Sequence, residues 1–303
     1  MVSQPASNSV TRPLDTAATA IMLLLCLSWG FNQAAAKFAL HDIPPMTQAA
    51  LRSVGAALIV AAWAKARGQF LLTRDGSLFA GLAAGALFSV EFILVYEGLL
   101  YTTASRAVLF LYTAPFFVVI GSRVFLPADR FHWLQWTGLA LSFCGVALAF
   151  GWPTPAADPH QALGDMMILG AAIAWASTTL VIKASSLNRV SAEKVMLYQL
   201  VVSAPALTIC IVLFGEHMKA LPSWPALAAL AYQTFWVVSV TFVIWFAMVA
   251  RYSANRLSAF TFLTPLFGVA AGHLLLGEPL NGAFAAAVAL VAAGLVLVNR
   301  VRR

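Results

Sequence analysis

Ten long apolar stretches, separated by short polar breaks, run through this 303-residue sequence. Each stretch approaches the roughly 20 apolar residues that an α-helix needs to cross the hydrocarbon core of a bilayer. They are too long and too uniformly apolar for the strands of a membrane β-barrel, which alternate over about 10 residues. We therefore predict an all-α integral membrane protein with ten transmembrane helices. The predicted spans are 16–38, 45–65, 77–100, 104–123, 133–150, 163–185, 195–215, 225–249, 256–276 and 282–299.

The composition excludes several other classes of protein. Only 10% of the residues are charged, against about 25% in a soluble domain, so the chain cannot cover a water-facing surface. No gap between the spans could house a soluble catalytic domain. The sequence contains neither the phosphate-binding motif G-x-x-x-x-G-K-[ST] nor the zinc-binding motif H-E-x-x-H. We expect no enzymatic activity, no catalytic residues, no metal ion and no cofactor.

The basic residues are distributed unevenly between alternate loops. If the N-terminus is inside, fourteen of the 18 Lys and Arg lie in cytoplasmic segments, where membrane proteins collect them. The remaining four are Lys37, Arg52, Arg106 and Lys219. Both termini are therefore predicted to be cytoplasmic. The net charge of +7 follows from this orientation, so it indicates the lipid bilayer, and not nucleic acid, as the partner.

The two halves of the sequence resemble each other at an offset of about 150 residues. The matched pairs, which occur in the same order, are Trp29 and Trp175, Lys37 and Lys183, Arg106 and Arg256, Phe110 and Phe260, and Pro115 and Pro265. Each half contains five spans, and an odd number turns the second copy upside down in the membrane. We therefore predict an inverted repeat, which in transporters places the substrate site between the halves and permits alternating access.

This repeat divides the chain into five segments. They are a cytoplasmic tail at 1–15, a first repeat at 16–150, an outer linker at 151–162, a second repeat at 163–299 and a basic cytoplasmic tail at 300–303. The first apolar run also has features of a signal peptide. Because the segment from Trp29 to Lys37 has a counterpart in the sixth span, we expect the first helix to be retained.

Several short motifs resemble those of a known family. Trp29-Gly30 follows the first apolar run, and the segment from Gly98 to Ala107 joins the third span to the fourth, with Pro115 further on. The second half repeats this pattern more loosely from Met248 to Pro265. With the ten helices in two inverted halves, these motifs resemble the drug/metabolite transporter superfamily and its EamA-like members, and the sequence is most similar to bacterial exporters of aromatic amino acids. The resemblance implies a multi-pass transporter of a small molecule in the bacterial inner membrane, which we expect to act as a monomer.

Ionisable residues inside the predicted spans are costly to bury and are therefore candidates for function. The carboxylate of Glu91, in the third span, could couple transport to protons, bind a substrate ammonium group or pair with Arg52. The guanidinium of Arg52, one to two turns inside the second span, could bind a substrate carboxylate or pair with a glutamate. Glu97 lies closer to the outer end of the third span, as is typical of a solvated residue. We predict Glu91 and Arg52 as a coupling or charge pair.

Aromatic and small polar residues form stripes on two matched helices. In the first helix Trp29, Asn32 and Ala36 share one face, and Trp175 with two following threonines repeats the pattern in the sixth. If the halves are related by a two-fold axis, both stripes face a central cavity that suits an aromatic or apolar body with a small polar head. Alternatively, these side chains face lipid or pack between helices. The predicted substrate-binding residues are Trp29, Asn32, Tyr96, Tyr112, Trp175, Thr178 and Thr179.

Two matched prolines predict points of flexure. Pro115 and Pro265 lack a backbone N–H, so they are expected to kink the fourth and ninth spans and to act as hinges. Together with the resemblance, these features predict an exporter of amino acids, with aromatic ones favoured, or of similar small amphipathic metabolites, by alternating access. The alternatives are an exporter of other metabolites or lipophilic drugs, and an intramembrane enzyme that modifies lipids.

Overall fold

The computed structural model describes residues 14–69, 73–102, 107, 110–126, 132–150, 160–218, 220–276 and 283–300. In these ranges the regular secondary structure is helical and no β-strand is present, which confirms the prediction of an all-α protein. The helices are α1 Thr16–Ala39, α2 Pro45–Ala66, α3 Leu78–Tyr101, α4 Ala114–Phe125, α5 Trp133–Phe150, α6 Gln161–Ala184, α7 Ala192–Leu213, α8 Trp224–Arg251, α9 Ala254–Phe260, α10 Leu263–Leu276 and α11 Phe284–Arg300.

Eight of these helices begin and end within three residues of a predicted span. Capping residues mark several of the starts: the side chain of Asp15 accepts a hydrogen bond from the N–H of Ala18, and Ser191 and Ser223 cap α7 and α8 in the same way. In α8 the middle segment, Tyr232–Thr241, is π-helical. The apolar stretches of the sequence therefore locate these eight helices. The π-helical segment was not predicted.

The helices have the length and the surface of membrane-spanning elements. Five of them, α2, α3, α6, α7 and α8, are long and apolar enough to cross a bilayer, and α1, α4, α5 and α11 contain shorter apolar segments. Large apolar side chains such as Phe79, Leu58 and Val212 are exposed on the outer surface. A continuous apolar exterior is unstable in water but stable against lipid, so these helices fit a multi-pass membrane protein.

The fourth and ninth spans are broken, where the sequence predicted continuous helices. A turn at Tyr112 and Thr113 precedes α4, and a turn at residues 261–262 separates α9 from α10. Pro115 and Pro265 lie in the first turn of the new helix in each case, where a missing N–H costs nothing because first-turn N–H groups have no partner within the helix. The predicted kinks inside continuous helices are therefore wrong, and two helix breaks take their place.

The contacts between helices have equivalents in the two halves. Helix α2 packs on α7, and α5 packs on α11. Helix α3 packs on α6 and α7, while α8 packs on α1 and α2; the contact of α1 with α10 corresponds to that of α6 with α4. When each helix is replaced by its counterpart in the other half, every contact in this set becomes another contact of the set or stays the same.

Glycines allow some of these helices to approach closely. Gly30 in α1 lies against Gly268 in α10, where a Cβ on Gly30 would be 2.8 Å from the backbone nitrogen of Gly268. Gly85 in α3 leaves similar room for Val202 in α7, whose Cβ would be 2.6 Å from an added methyl group. Small residues at such contacts bring helix backbones together. These two contacts hold α1 and α3 against the second half of the chain.

Polar contacts tie the halves together at opposite ends of the bundle. In the α2–α3 connection, the carboxylate of Asp75 accepts a hydrogen bond of 2.7 Å from Nζ of Lys194 in the first turn of α7. In the α7–α8 connection, the carboxylate of Glu216 accepts hydrogen bonds of 2.8 Å from the backbone N–H groups of Met46 and Thr47 in the first turn of α2. We call these contacts the Asp75 clamp and the Glu216 clamp.

Charge and hydrogen bonding keep the carboxylate of the Asp75 clamp ionised. The Lys194 ammonium group, together with the hydroxyl and backbone N–H of Ser77, holds the pKa of Asp75 well below its usual value. Beside the Glu216 clamp, Asp42 accepts hydrogen bonds from the hydroxyl and N–H of Ser223, which lower the pKa of Asp42. Both aspartates are therefore negatively charged at neutral pH.

Candidate functional site

A cavity of about 130 Å³ lies between the two halves of the bundle. It is bounded by α1, α2 and α3, by the segment before α4, and by α6, α7 and α8, so both halves contribute to its wall. Concave sites of this kind between helices are the usual binding sites for small molecules. The lining residues are Trp29, Asn32, Ala36, Arg52, Phe88, Glu91, Phe92, Val95, Tyr96, Leu111, Tyr112, Trp175, Thr178, Gln199, Val237, Phe242, Trp245 and Phe246.

Aromatic rings from different helices hold each other in fixed orientations on the cavity wall. The indole N–H of Trp29 in α1 donates a hydrogen bond of 2.9 Å to the hydroxyl of Thr241 in α8. The Trp29 ring packs edge-on against Trp245 and Phe242, with centroid distances of 5.5 and 6.0 Å. Such edge-to-face pairs are favoured by the ring quadrupoles. The wall beside Trp29 is therefore rigid and apolar, with its one polar N–H already occupied.

Helix α3 contributes one continuous face to the cavity. Phe88, Glu91, Phe92, Val95 and Tyr96 all line it, and their spacing of three and four residues is that of a single helical face. Only Glu91 in this set is charged, and it is half-buried. The face therefore presents a carboxylate between aromatic rings.

Arg52 is the cation of the cavity wall, and it is only 3% exposed. Its guanidinium carbon lies 4.1 Å from the ring centroid of Phe92 and 6.0 Å from that of Tyr96, so the cation packs on aromatic faces. In the part of the chain that the structure describes, its Nε and Nη2 have no hydrogen-bond partner. A buried charge without a compensating partner is strongly destabilising. The guanidinium of Arg52 can therefore bind an anionic group of a ligand.

The ion pair that the sequence predicted between Arg52 and Glu91 is not formed. Among the described residues, ion pairs within 4.0 Å join Arg67 to Glu193 and Lys194 to Asp75. Arg52 and Glu91 are near enough to attract each other but remain apart. The Phe92 ring, on the same helix as Glu91, stacks on the guanidinium instead. Both charges therefore belong to the cavity wall and neither satisfies the other.

Two amides add unpaired acceptors to the wall. Gln199, fully buried in α7, donates from Nε2 to the carbonyl of Val195 at 3.2 Å, and this bond defines which end of the amide is the oxygen. Oε1 of Gln199 and Oδ1 of Asn32 are buried without a hydrogen-bond partner in the described chain. Buried polar atoms normally have partners, so these two oxygens are available to a donor on a ligand.

The structure brings most of the predicted site residues to one cavity. Trp29, Asn32, Arg52, Glu91, Tyr96, Tyr112, Trp175 and Thr178 line it. Thr179 is not among the lining residues, and its buried hydroxyl donates to the carbonyl of Trp175 at 3.1 Å. Pro115 and Pro265 are not among the lining residues and lie at the helix breaks. The side chains of Gln33, Lys37 and His273, and all of Arg106, lie outside the described residues.

Sequence reasoning missed several lining residues. Phe88 and Phe92 could have been found, because they are three and four residues from Glu91 or Tyr96 on the same helical face. Val237 and Phe242 could not, because residues five apart share a face only where the helix is π-helical. Those missed altogether are Phe88, Phe92, Val95, Leu111, Gln199, Val237, Phe242, Trp245 and Phe246.

Comparison with known proteins identifies related chains over nearly the whole length. The sequence model of the EamA-like transporter family matches residues 16–151 and 162–300. The uncharacterized transporter YvbV of Bacillus subtilis is 26% identical over 95% of this chain and 93% of its own. A protein of Escherichia coli named probable amino-acid metabolite efflux pump is 28% identical over 91% of this chain and 93% of its own. A solved crystal structure with 22% identity has the same fold, with a TM-score of 0.79 over 93% of this chain and 97% of the other.

Proposed function

The chain belongs to the EamA-like transporter family, and on that premise we propose that it exports amino acids, aromatic ones above all, or similar small amphipathic metabolites. The observation that carries this proposal is the cavity between the halves, which combines aromatic walls with one cation and one carboxylate. A substrate with an apolar body and a small charged head is complementary to such a wall. The name of the Escherichia coli relative, an amino-acid metabolite efflux pump, supports the same class of substrate.

Alternating access between two inverted repeats is the mechanism that we propose. The exchange of helix contacts between the halves, the two helix breaks and the two separate matches to the family at 16–151 and 162–300 support it. In transporters of this design, one half rocks against the other around a site near the middle of the membrane. The substrate would then leave the cytoplasm through the cavity while ten spans, with both termini inside, cross the bacterial inner membrane.

Flux measurements on the purified protein test the proposal. Liposomes loaded with labelled phenylalanine, tryptophan or alanine are expected to release them faster with the protein than without it, and the two aromatic amino acids faster than alanine. Val95→Trp, which fills the cavity from α3, is expected to abolish this release. Val90→Trp on the exposed face of the same helix is the matched control and should leave it intact. Absence of flux for every amino acid would contradict the proposed function.

The same liposomes test the coupling of export to protons. If an imposed proton gradient accelerates phenylalanine efflux and Glu91→Gln removes that acceleration, export is coupled through Glu91. Equal rates with and without the gradient make the process facilitated diffusion down the substrate gradient. A lipophilic drug, the second candidate substrate, is compared in the same assay: faster release of the drug than of phenylalanine would favour drug export.

A further inference from the structure

The cavity wall carries donor N–H groups of Arg52 that lack a partner in the described chain, and acceptor oxygens on Glu91, Asn32 and Gln199. We propose that this division selects a zwitterion: Arg52 binds a substrate carboxylate, while Glu91, Asn32 and Gln199 bind its ammonium group. The proposal rests on the proposed function and deepens it, because it assigns the two charged ends of an α-amino acid to separate residues. It requires that an amine or a carboxylic acid with the same aromatic body bind much more weakly than the amino acid.

The donor side of the site is the guanidinium of Arg52. The Phe92 ring covers one face of this group at 4.1 Å, so it does not cover the N–H groups along the edge of the guanidinium. Nε and Nη2 lack partners among the described residues although Arg52 is 97% buried. A carboxylate can meet two N–H groups of a guanidinium side by side. An anionic ligand would therefore supply the hydrogen bonds that the protein leaves unmade.

The number of acceptor groups on the cavity wall matches the number of N–H donors on an ammonium group. An ammonium has three N–H donors and no acceptor. The wall offers the Glu91 carboxylate and two buried amide oxygens, Oδ1 of Asn32 and Oε1 of Gln199, both without a partner in the described chain. A ligand carboxylate beside the Glu91 carboxylate and these two oxygens would be repelled by their lone pairs. The charge pattern of the cavity therefore has a direction.

The symmetry of the fold explains how this direction arises. Arg52 in α2 and Gln199 in α7 are counterparts in the two halves, at an offset of 147 residues, close to that of the early matched pairs. Both line the cavity. A symmetric repeat would carry identical groups at these two positions, whereas here one position holds a cation and the other a neutral amide whose oxygen has no partner in the described chain. The departure from symmetry gives the site different affinities for the two ends of a zwitterion.

Three ligands with one aromatic body test the proposal. L-Phenylalanine carries both charges, 2-phenylethylamine carries only the ammonium and 3-phenylpropionate only the carboxylate. Displacement of tritiated phenylalanine from the full-length protein in liposomes measures their relative affinities. We expect phenylalanine to bind at least about tenfold more tightly than either analogue, because each analogue leaves buried charged partners unsatisfied. Equal affinities for the three ligands would overturn the proposal even where phenylalanine is exported, whereas absent export contradicts the proposed function instead.

Variants assign each charge to its residue. Arg52→Gln should weaken the binding of phenylalanine about 10- to 100-fold, because the substrate carboxylate loses a charge-assisted contact. The binding of 2-phenylethylamine should be unchanged or tighter, because its ammonium group is no longer repelled by the guanidinium. Glu91→Gln should weaken the binding of phenylalanine and of 2-phenylethylamine and leave the binding of 3-phenylpropionate unchanged. Arg67→Gln, at the exposed end of the same helix as Arg52, is the control and should change none of the three.

The ratio between ligands separates binding from folding. A purely structural role for Arg52 predicts equal weakening of all three ligands by Arg52→Gln, and that result would overturn the assignment. If Arg52→Gln does not fold, Arg52→Lys is used, since it retains the charge but not the planar fork. Arg52→Lys should keep the preference for phenylalanine over 2-phenylethylamine at a reduced ratio, and an unchanged ratio would contradict a paired carboxylate contact.

Discussion

Trp29 illustrates how a single side chain joins the two halves at the cavity. Its ring belongs to α1, but its N–H donates to Thr241 in α8, and its two edge-on aromatic neighbours also belong to α8. Thr241 is itself bonded to the carbonyl of Val237 in the π-helical segment. The orientation of this wall therefore depends on one buried hydroxyl rather than on Trp29 alone.

Removal of that hydroxyl should affect stability and transport together. Thr241→Val leaves the buried N–H of Trp29 without a partner, which costs about 1–3 kcal/mol. We expect a lower unfolding temperature in detergent and slower efflux of tryptophan from liposomes. Thr208→Val, which removes an exposed hydroxyl bonded within α7, is the matched control and should change stability by less than about 0.5 kcal/mol. Unchanged stability and transport in Thr241→Val would contradict this role.

Site residues differ in how far the sequence predicted them. Trp29 and Trp175 were identified because the repeat places them at matched positions, and Arg52 and Glu91 because charge is rare inside apolar spans. The separation of Arg52 from Glu91 could not be predicted, because it depends on how the side chains of α2 and α3 pack. Contacts between helices are set by side-chain packing, and a helical period does not encode it.

At the scale of helices, the two breaks are the most informative elements. The fourth and ninth spans are interrupted at corresponding places, and Leu111 and Tyr112, at the start of the first break, line the cavity. Pro115 and Pro265 start the helices that follow. The first break therefore adjoins the site, and a change of backbone angle there would alter the cavity wall.

Replacement of the two prolines tests their proposed action as hinges. Pro115→Ala and Pro265→Ala each remove a fixed φ angle at a helix start, where no hydrogen bond is lost, so stability should change by less than about 1 kcal/mol. We expect the double variant to transport phenylalanine several-fold more slowly. Pro225→Ala, in the first turn of α8 but not at a break, is the control. Normal transport by a well-folded double variant would rule out the hinges.

The Asp75 clamp should contribute stability over a defined range of pH. Since the pKa of Asp75 is lower in the folded protein, its contribution is complete above its unfolded-state pKa of about 3.9 and disappears as the pH falls through the lower, folded-state value. We expect the unfolding temperature of Asp75→Asn to lie below that of the wild type from neutral pH to about pH 4, and the difference to vanish in stronger acid.

A double-mutant cycle identifies the partner in that clamp. If the Lys194 contact carries the effect, Asp75→Asn and Lys194→Met should be non-additive, and the double variant should lose little more than either single one. Additive losses would instead mean that the two side chains act independently. The cycle is evaluated at neutral pH, where both groups are charged.

At the scale of the whole molecule, the orientation in the membrane remains a prediction of charge distribution. The two clamps lie at opposite ends of the bundle, so residues beside them report on opposite sides of the membrane. Gln69 follows α2 and Met218 follows α7, and both are exposed. With both termini inside, Gln69 faces the cytoplasm and Met218 faces outward.

Cysteine labelling tests this orientation. In a background with Cys26, Cys144 and Cys210 replaced by Ala, Met218→Cys should react with a membrane-impermeant thiol reagent in intact cells. Gln69→Cys should react only after the membrane is permeabilised. The reverse pattern would contradict the predicted orientation.

The sequence by itself determined the class of protein, the helix positions and the family, because apolar runs of membrane length and a matched set of residues are local properties of the chain. Tertiary structure decided the two helix breaks, the π-helical segment and the separation of Arg52 from Glu91. Each of these features depends on contacts between residues distant in sequence. The cavity does so too, because it exists only where several helices leave the space between them unfilled. The two charges that are rare in the sequence lie on the wall of one cavity without forming an ion pair, which only side-chain packing decides.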